Sequence, residues 1–283
     1  MSDSVRQAPF RVASDVPFLA GVGLLAGAYL ALIVAMVLAG VGFVGAGDVI
    51  DVITTPEMRS VLKLTLFTCC LSSLLSILVA VPAAYVLSRT RFPGKSVIDV
   101  VLDIPVILPP LVIGLSLLIL FNHLFIAGRS IDAWLVAWLG EGARITFSPA
   151  AIVLAQFSVC CALAIRVVRS AMDEISPRQE AVAMTLGANR GQAFWYVLLP
   201  QAWRGVVGAW ALAWARALGE FGPVLVFAGV TRGRTEVLST AIFLEMNLGN
   251  LRGAVGISLV LIVFALAVLL VVRRYAWRER GRS

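Results

Sequence analysis

Long charge-free apolar runs alternate with short polar links along the chain. The runs are Val16 to Gly47, Leu64 to Ser88, Ile104 to Gly128, Ile145 to Ile165 and Gly253 to Val272, and one more, Gly205 to Thr231, holds only two charges, Arg216 and Glu220. A bilayer core takes about 20 apolar residues per helical span. Backbone groups find no water in lipid, so runs of this length without period-2 alternation predict helices. The expected fold class is an all-α integral membrane protein with six transmembrane helices. The first run exceeds the roughly 7–15 apolar residues of a signal-peptide core and counts as a span.

Prolines interrupt this pattern where the chain reads DIPVILPPLVIG. Pro105, Pro109 and Pro110 are expected to delay a regular helix until about Leu111, because proline removes a donor and disfavours helix before it. Irregular backbone at membrane depth is tolerated only where protein or a water-filled cavity satisfies it. Residues 105–114, including Pro109, Pro110 and Gly114, are therefore candidates for a transport path, with a proline-kinked packing helix as the alternative. Pro82 and Pro223 fall in or near the second and fifth spans, and GLLAG (Gly23 to Gly27) offers a close helix contact.

Composition agrees with a membrane chain. Mean hydropathy is +0.96 and only 14% of residues are charged, too few for a soluble 283-residue domain. Six spans put both ends on one side. One face collects Arg6, Arg11, Arg89, Arg91, Lys95, Arg166, Arg169, Arg178, Arg190, Arg204, Arg273, Arg274, Arg278, Arg280 and Arg282; the other has Arg59, Lys63, Arg129, Arg144, Arg232, Arg234 and Arg252. The richer face is expected to be cytoplasmic, with both termini there. The net charge of +7 then reflects topology and contact with anionic membrane lipids. No nucleic-acid partner is expected. Cys69-Cys70 and Cys160-Cys161 lie inside spans and read as small packing residues, and His123 stands alone, so no metal site is expected.

Between the fourth and fifth runs lies a polar element with its own punctuation, SPRQEAVAMTLGANRGQAFWYVLLP, residues 176 to 200. Ser176, Pro177 and Gln179 supply an N-cap, a first-turn proline and a capping-box partner. Gly187 is placed for a left-handed cap, Asn189 with Gln192 offers a second start, and Pro200 is expected to close the second helix. Val182, Ala183 and Leu186 form a small apolar face, with Arg178 and Glu180 at its edges. A helix this short is marginal alone, so the knob fits a groove in another protein. A loop resting on lipid is the alternative.

This stretch resembles the EAA loop of ABC-importer permease subunits, in which Glu-Ala-Ala is followed by three residues, Gly, nine residues and Ile-x-Leu-Pro. Gly187, Val197, Leu199 and Pro200 keep the glycine-to-proline spacing, with Val for Ile. The acidic end departs from the pattern: the family's glutamate falls on Ala181, and Glu180 sits one residue early. RFPGKS, DIPVILPPLVIGLSLLILF and WARALGEFGPVLVFAG extend the resemblance over roughly residues 60 to 275 and are similar to the molybdate/tungstate branch, with sulfate permeases as near relatives. The division implied is 1–59 for the N-terminus, first helix and outer loop, 60–275 for a type I importer transmembrane domain, and 276–283 for a basic cytoplasmic tail.

The resemblance implies an inner-membrane, multi-pass transport subunit, paired with a second permease subunit as a homodimer. Its other partners would be two cytoplasmic ABC ATPase subunits and an external oxyanion-binding protein. Glu180, Ala181, Val182, Leu186, Gly187, Ala188, Asn189 and Pro200 would form the ATPase-coupling element. The outer links 129–144 and 232–252 are candidates for receiving the binding protein. The chain's GKS at 94–96 has Arg89 where a phosphate loop needs glycine. Catalytic residues and cofactors are thus expected to be absent from this chain, with ATP and Mg on the partners.

Arg216 lies twelve residues beyond Arg204, roughly 18 Å along a helix at about 1.5 Å per residue, with Glu220 one turn later. An unpaired charge at that depth costs on the order of 2.5–3.5 kcal/mol, and pairing reduces the cost. Two readings stay open: a positive landmark for a passing dianion in a path that includes Gly222, or a structural lock. The cargo expected is a tetrahedral oxyanion, molybdate or tungstate, with sulfate/thiosulfate or another anion as runner-up. A secondary transporter driven by an ion gradient is the rival class; it usually shows repeated halves and several buried carboxylates. A membrane enzyme would need a polar constellation that is missing here.

Overall fold

The computed structural model describes residues 16–45, 47, 54–123, 125, 126 and 128–278. Expectations for residues 1–15, for part of the first outer link and for the basic tail past residue 278 lie outside the described residues. In chain order the helices are α1 (Val16–Phe43), α2 (Pro56–Arg89), α3 (Lys95–Ile107), α4 (Pro110–His123), α5 (Ile131–Leu139), α6 (Pro149–Asp173), α7 (Pro177–Thr185), α8 (Arg190–Ala193), α9 (Leu199–Leu218), α10 (Gly222–Phe227), α11 (Leu238–Asn247) and α12 (Leu251–Arg278). Two two-residue strands, Phe125–Ile126 and Arg129–Ser130, pair antiparallel around Gly128.

Small side chains decide where the central helices meet. Along one face of α2, Thr65, Cys69, Ser72, Ser76, Ala80 and Ala84 recur at four- or three-residue spacing, and all are buried. The facing part of α6 buries Gln156, Cys160, Ala164 and Val168. Without a hydrophobic drive between helices in lipid, such small residues let backbones approach and dispersion act. The hydroxyls are satisfied locally: Thr65 Oγ1 donates to the Val61 carbonyl and Ser76 Oγ to that of Ser72, both at 2.7 Å. Cys69 and Cys160 sit in this core as free thiols, which gives them the packing role expected of them.

Around that seam, α9 and α12 complete the main core through Ala209, Ala213, Trp214 and Ile257. A second cluster joins the start of α6 to α10 through Ile152, Ala155, Val224 and Phe227. By contrast α1 is exposed along almost its whole length; it touches α12 where Gly40 meets Leu259. A Cβ added at Gly23 or Gly27 would meet nothing within 4 Å among the described residues.

Among the described residues, four helices are long and apolar enough to cross a bilayer: Phe18–Phe43, Pro56–Arg89, Pro149–Asp173 and Leu251–Leu270. The expected third and fifth spans differ from the sequence reading. Regular helix begins at Lys95 instead of about Leu111, runs through Pro105, and breaks at Leu108 and Pro109, where α3 and α4 turn by 110°. The fifth is interrupted after Leu218 and restarts at Gly222. Its glycines explain the packing: a Cβ on Gly222 would stand 2.9 Å from Pro110 Cβ, and one on Gly114 2.8 Å from Pro223 Cα. The two breaks are pressed together.

The tightest approach in the core is at Gly205 of α9, where an added Cβ would lie 2.2 Å from Ala171 Cβ on α6. Neither methyl can rotate away, so Gly205→Ala is expected to force the helices apart at a cost of about 1–3 kcal/mol. Thermal unfolding in detergent checks this, with Gly142→Ala, which has open space around it, expected to match the parent chain.

Candidate coupling loop and translocation path

The 176–200 element is a folded bracket whose ends are each closed by local chemistry. Ser176 caps α7 by accepting from the Arg178 N–H at 3.4 Å; a reciprocal Gln179 bond is not formed. At the other end Gly187 takes φ +97°. Its N–H donates to the Met184 carbonyl and that of Ala188 to the Ala183 carbonyl, each at 3.1 Å, the paired bonds of a Schellman cap. Asn189 and Gln192 then close a full capping box on α8, at 2.8 and 2.9 Å.

Pro200 does not end this second helix. The chain widens into a π turn over Phe194–Leu198 and continues directly as α9. Widened turns of this kind accommodate an interruption of the hydrogen-bond ladder. The Gln201 side chain donates to the Val197 carbonyl at 3.0 Å. Bracket and membrane helix are therefore one continuous body.

The bracket is fixed from behind by α2. Arg89 Nε meets Glu180 Oε1 at 2.6 Å, with both side chains nearly buried, and Arg89 Nη2 donates to the Ile175 carbonyl at 2.9 Å. Tyr85 and Phe194 pack edge-on, ring centres 4.9 Å apart. A cavity of about 420 Å³ remains between α2 and the bracket, lined by Pro82, Tyr85, Arg89, Glu180, Arg190 and Phe194 among others. Glu180 thus faces inward. Outward stand Ala181, Val182 (58% exposed) and Leu186 (84% exposed). The sequence marked Arg89 as one positive charge among many and as a departure from a phosphate loop, not as a partner of Glu180.

The membrane candidates gather at the other end of α9. Glu220 follows the helix end, 1% exposed, and Arg216 forms an ion pair with it while keeping 39% of its own side chain exposed. Ser239 Oγ donates to the Glu220 carbonyl at 2.8 Å. Pro109 lies in the α3–α4 break, and Pro110, Gly114 and Gly222 form the close contact already described. Gln156, unmarked in the sequence reading, is buried between three helices: it accepts from Ser72 Oγ at 3.1 Å and donates to the Ala217 carbonyl at 3.2 Å. It thereby adds a side-chain bond to a carbonyl in the last turn of α9 that the Glu220 N–H also reaches, at 3.2 Å.

On the opposite end from the bracket, α5 carries stacked Trp134 and Trp138, and buried Asp132 holds the following loop through the Ile145 and Thr146 N–H groups at 3.0 and 3.1 Å. The 232–252 link folds as α11, stopped at Gly249 with φ +77°. There Arg232 pairs with Glu245 at 3.1 Å, and burial pushes the Glu236 carboxyl above its ordinary range, Arg232 pulling the other way.

The polar bracket is thus continuous with a broken membrane helix, and comparison with known proteins places this arrangement in a family. The model of the family described as binding-protein-dependent transport system inner membrane component matches residues 72–277. The chain belongs to that family. This permease is 38% identical over 218 residues to the molybdenum transport system permease protein ModB of Mycobacterium tuberculosis (strain ATCC 25618 / H37Rv), covering 77% of this chain and 80% of that protein. It is 32% identical to ModB of Escherichia coli (strain K12) over 82% of this chain and 99% of the relative. The sulfate transport system permease protein CysT of the same strain is 32% identical over 77% and 76%. A crystal structure of a bacterial alginate ABC transporter, in complex with a periplasmic protein bound to an alginate pentasaccharide, contains a chain of the same fold. That match has TM-score 0.67 and 16% identity, and covers 93% of this permease and 97% of that chain. The permease is thus an ABC-importer transmembrane subunit, a multi-pass component of the inner membrane.

Breaking the Arg89–Glu180 pair from one side strands a buried charge, at a cost of about 3–5 kcal/mol. Arg89→Ala is expected to open the bracket, raising hydrogen exchange over residues 176–190 by more than tenfold. The double variant Arg89→Met with Glu180→Gln is expected to recover most of the protection. Mass-spectrometric exchange of both variants checks this.

Proposed function

We propose that the permease works as one of two identical membrane subunits of an ATP-driven importer, carrying a tetrahedral oxyanion, molybdate or tungstate, by alternating access. The observation that carries the reading is the bracket: Val182 and Leu186 project outward from a segment locked behind by Arg89 and Glu180 and continuous with α9. An exposed apolar knob on a rigid lever suits a groove in a cytoplasmic ATPase subunit, and rigid-body movement there reaches the membrane helix without slack. ATP and Mg would be held by two such subunits, and no cofactor by this chain. Counting α3–α4 and α9–α10 as one crossing each gives six, with both termini in the cytoplasm by the distribution of arginine and lysine.

Two observations support an anionic cargo. Similar permeases include a molybdenum transport system permease protein at 38% identity, and the Arg216 side chain is partly exposed while its carboxylate partner is buried. A dianion would meet positive charge first, and the buried Glu220 would keep it from being held too tightly to leave. The likeness to CysT supports a second reading, sulfate. An external binding protein, docking on the face that carries α5 and α11, would deliver the ion in either case.

Proteoliposomes holding this chain with its ATPase and binding protein test the reading. Uptake of radiolabelled molybdate is expected to require ATP and the binding protein, to be competed by tungstate, and to change less than twofold with equimolar sulfate. Equal competition by sulfate would favour the sulfate reading. Concentrative uptake by the chain alone, driven by an ion gradient, would overturn the proposal.

A further inference from the structure

Helix α3 is held in an unusual way. None of its residues is buried within the chain, and Val97, Val100, Val101 and Ile107 lie open. Its polar positions Lys95, Asp99 and Asp103 recur every four residues and so share one face. Two of them meet α6: Asp103 pairs with Arg166, and Asp99 Oδ1 stands 2.6 Å from Arg169 Nη1. Leu102 alone of the helix's apolar side chains packs against the main core, so these pairs contribute most of what sets where the helix sits.

The same ladder continues toward the bracket. Arg169 Nε is 3.7 Å from Asp173 Oδ2, Asp173 accepts from Ser88 Oγ, Arg89 Nη1 donates to that hydroxyl at 2.9 Å, and Arg89 reaches Glu180. In the other direction α3 ends at the 110° turn into α4, whose Pro110 and Gly114 press on Gly222 and Pro223 just past Glu220. An unbroken series of contacts therefore runs from Glu180 to the break beside the Arg216–Glu220 pair.

We propose that Asp99, Asp103, Arg166 and Arg169 are positioning residues that make α3 a crank, passing displacement of the 176–200 bracket to the α4–α10 contact. The inference rests on the coupling reading of that bracket. Ion pairs at partly exposed positions are weak and exchangeable while remaining selective for geometry. Arg169, shared between Asp99 on α3 and Asp173 on its own helix, can yield one partner and keep the other. Releasing Asp99 while keeping Asp173 would give the contact two discrete arrangements, which a transmitting element requires. A full apolar interlock with α6, in place of the single contact at Leu102, would instead have fixed one position.

The test uses the full complex of permease, ATPase and binding protein in proteoliposomes, with radiolabelled molybdate as probe. Asp99→Asn with Asp103→Asn is expected to leave binding-protein-stimulated ATP hydrolysis within about twofold of the parent while molybdate moved per ATP falls at least tenfold. The charge exchange Asp103→Arg with Arg166→Asp, which restores a pair of reversed polarity without touching the Arg169–Asp173 link, is expected to recover at least half of the loss relative to Asp103→Arg alone. Unchanged transport per ATP in the neutralised variant, or no recovery on exchange, overturns the proposal. Should the neutralised variant not assemble, the comparison of Asp103→Arg with its exchange partner decides the matter on the same two readouts. The parent complex is measured alongside: absence of ATP-driven uptake there overturns the coupling reading itself, whereas intact parental uptake with an indifferent ladder overturns only the crank.

Discussion

Close approach of α2 to α6 is the constraint on which the remaining architecture depends. Lipid rewards apolar surface as well as a neighbouring helix does, so a membrane core is held by packing distance more than by burial. The stripe of Thr65, Cys69, Ser72, Ser76, Ala80 and Ala84 makes that distance short. Each hydroxyl that enters the seam bonds to its own helix or to Gln156, so polarity is admitted without an unpaired group. Gln156 extends the same logic to α9, whose terminal carbonyl it meets. Position of the broken end of α9, and with it of Glu220, follows from the seam.

The spans α1, α2, α6 and α12 were legible because each is charge-free over a bilayer's width. The helix α3 was not, and the reason is specific. Counting charge-free runs discards Lys95, Asp99 and Asp103, yet those residues lie within the helix and two of them pair with Arg166 and Arg169. A charge that looks like a link to hydropathy becomes, once paired, part of a helix wall. The prolines misled in the same direction: Pro105 is carried inside α3, and the interruption falls one turn later, at Leu108 and Pro109.

Within the candidate site, legibility tracked sequence separation. The left-handed cap at Gly187 and the Asn189–Gln192 box involve residues within five positions of one another, and the sequence displays them openly. Arg89 and Gln156 act on partners 91 and 61 residues away, and nothing local marks either one. The role of Pro200 was misread for a related reason. A proline forbids a regular hydrogen bond at its own position, but the π turn upstream accommodates it and lets the helix run on.

The one-residue displacement of the acidic position has a geometric meaning. Successive helical residues differ by about 100° around the axis, so moving a carboxylate from position 181 to 180 carries it from the outer face to the flank that touches α2. Glu180 there is 6% exposed and engaged by Arg89, while Ala181 leaves a small apolar surface where the family pattern has a charge. The outward face of α7 carries Ala181, Val182 and Leu186, with exposed Arg178 one turn before Val182. The bracket thus uses its acid for internal rigidity and presents an apolar knob edged by a positive charge, a division consistent with a lever that must keep its form while it is pushed.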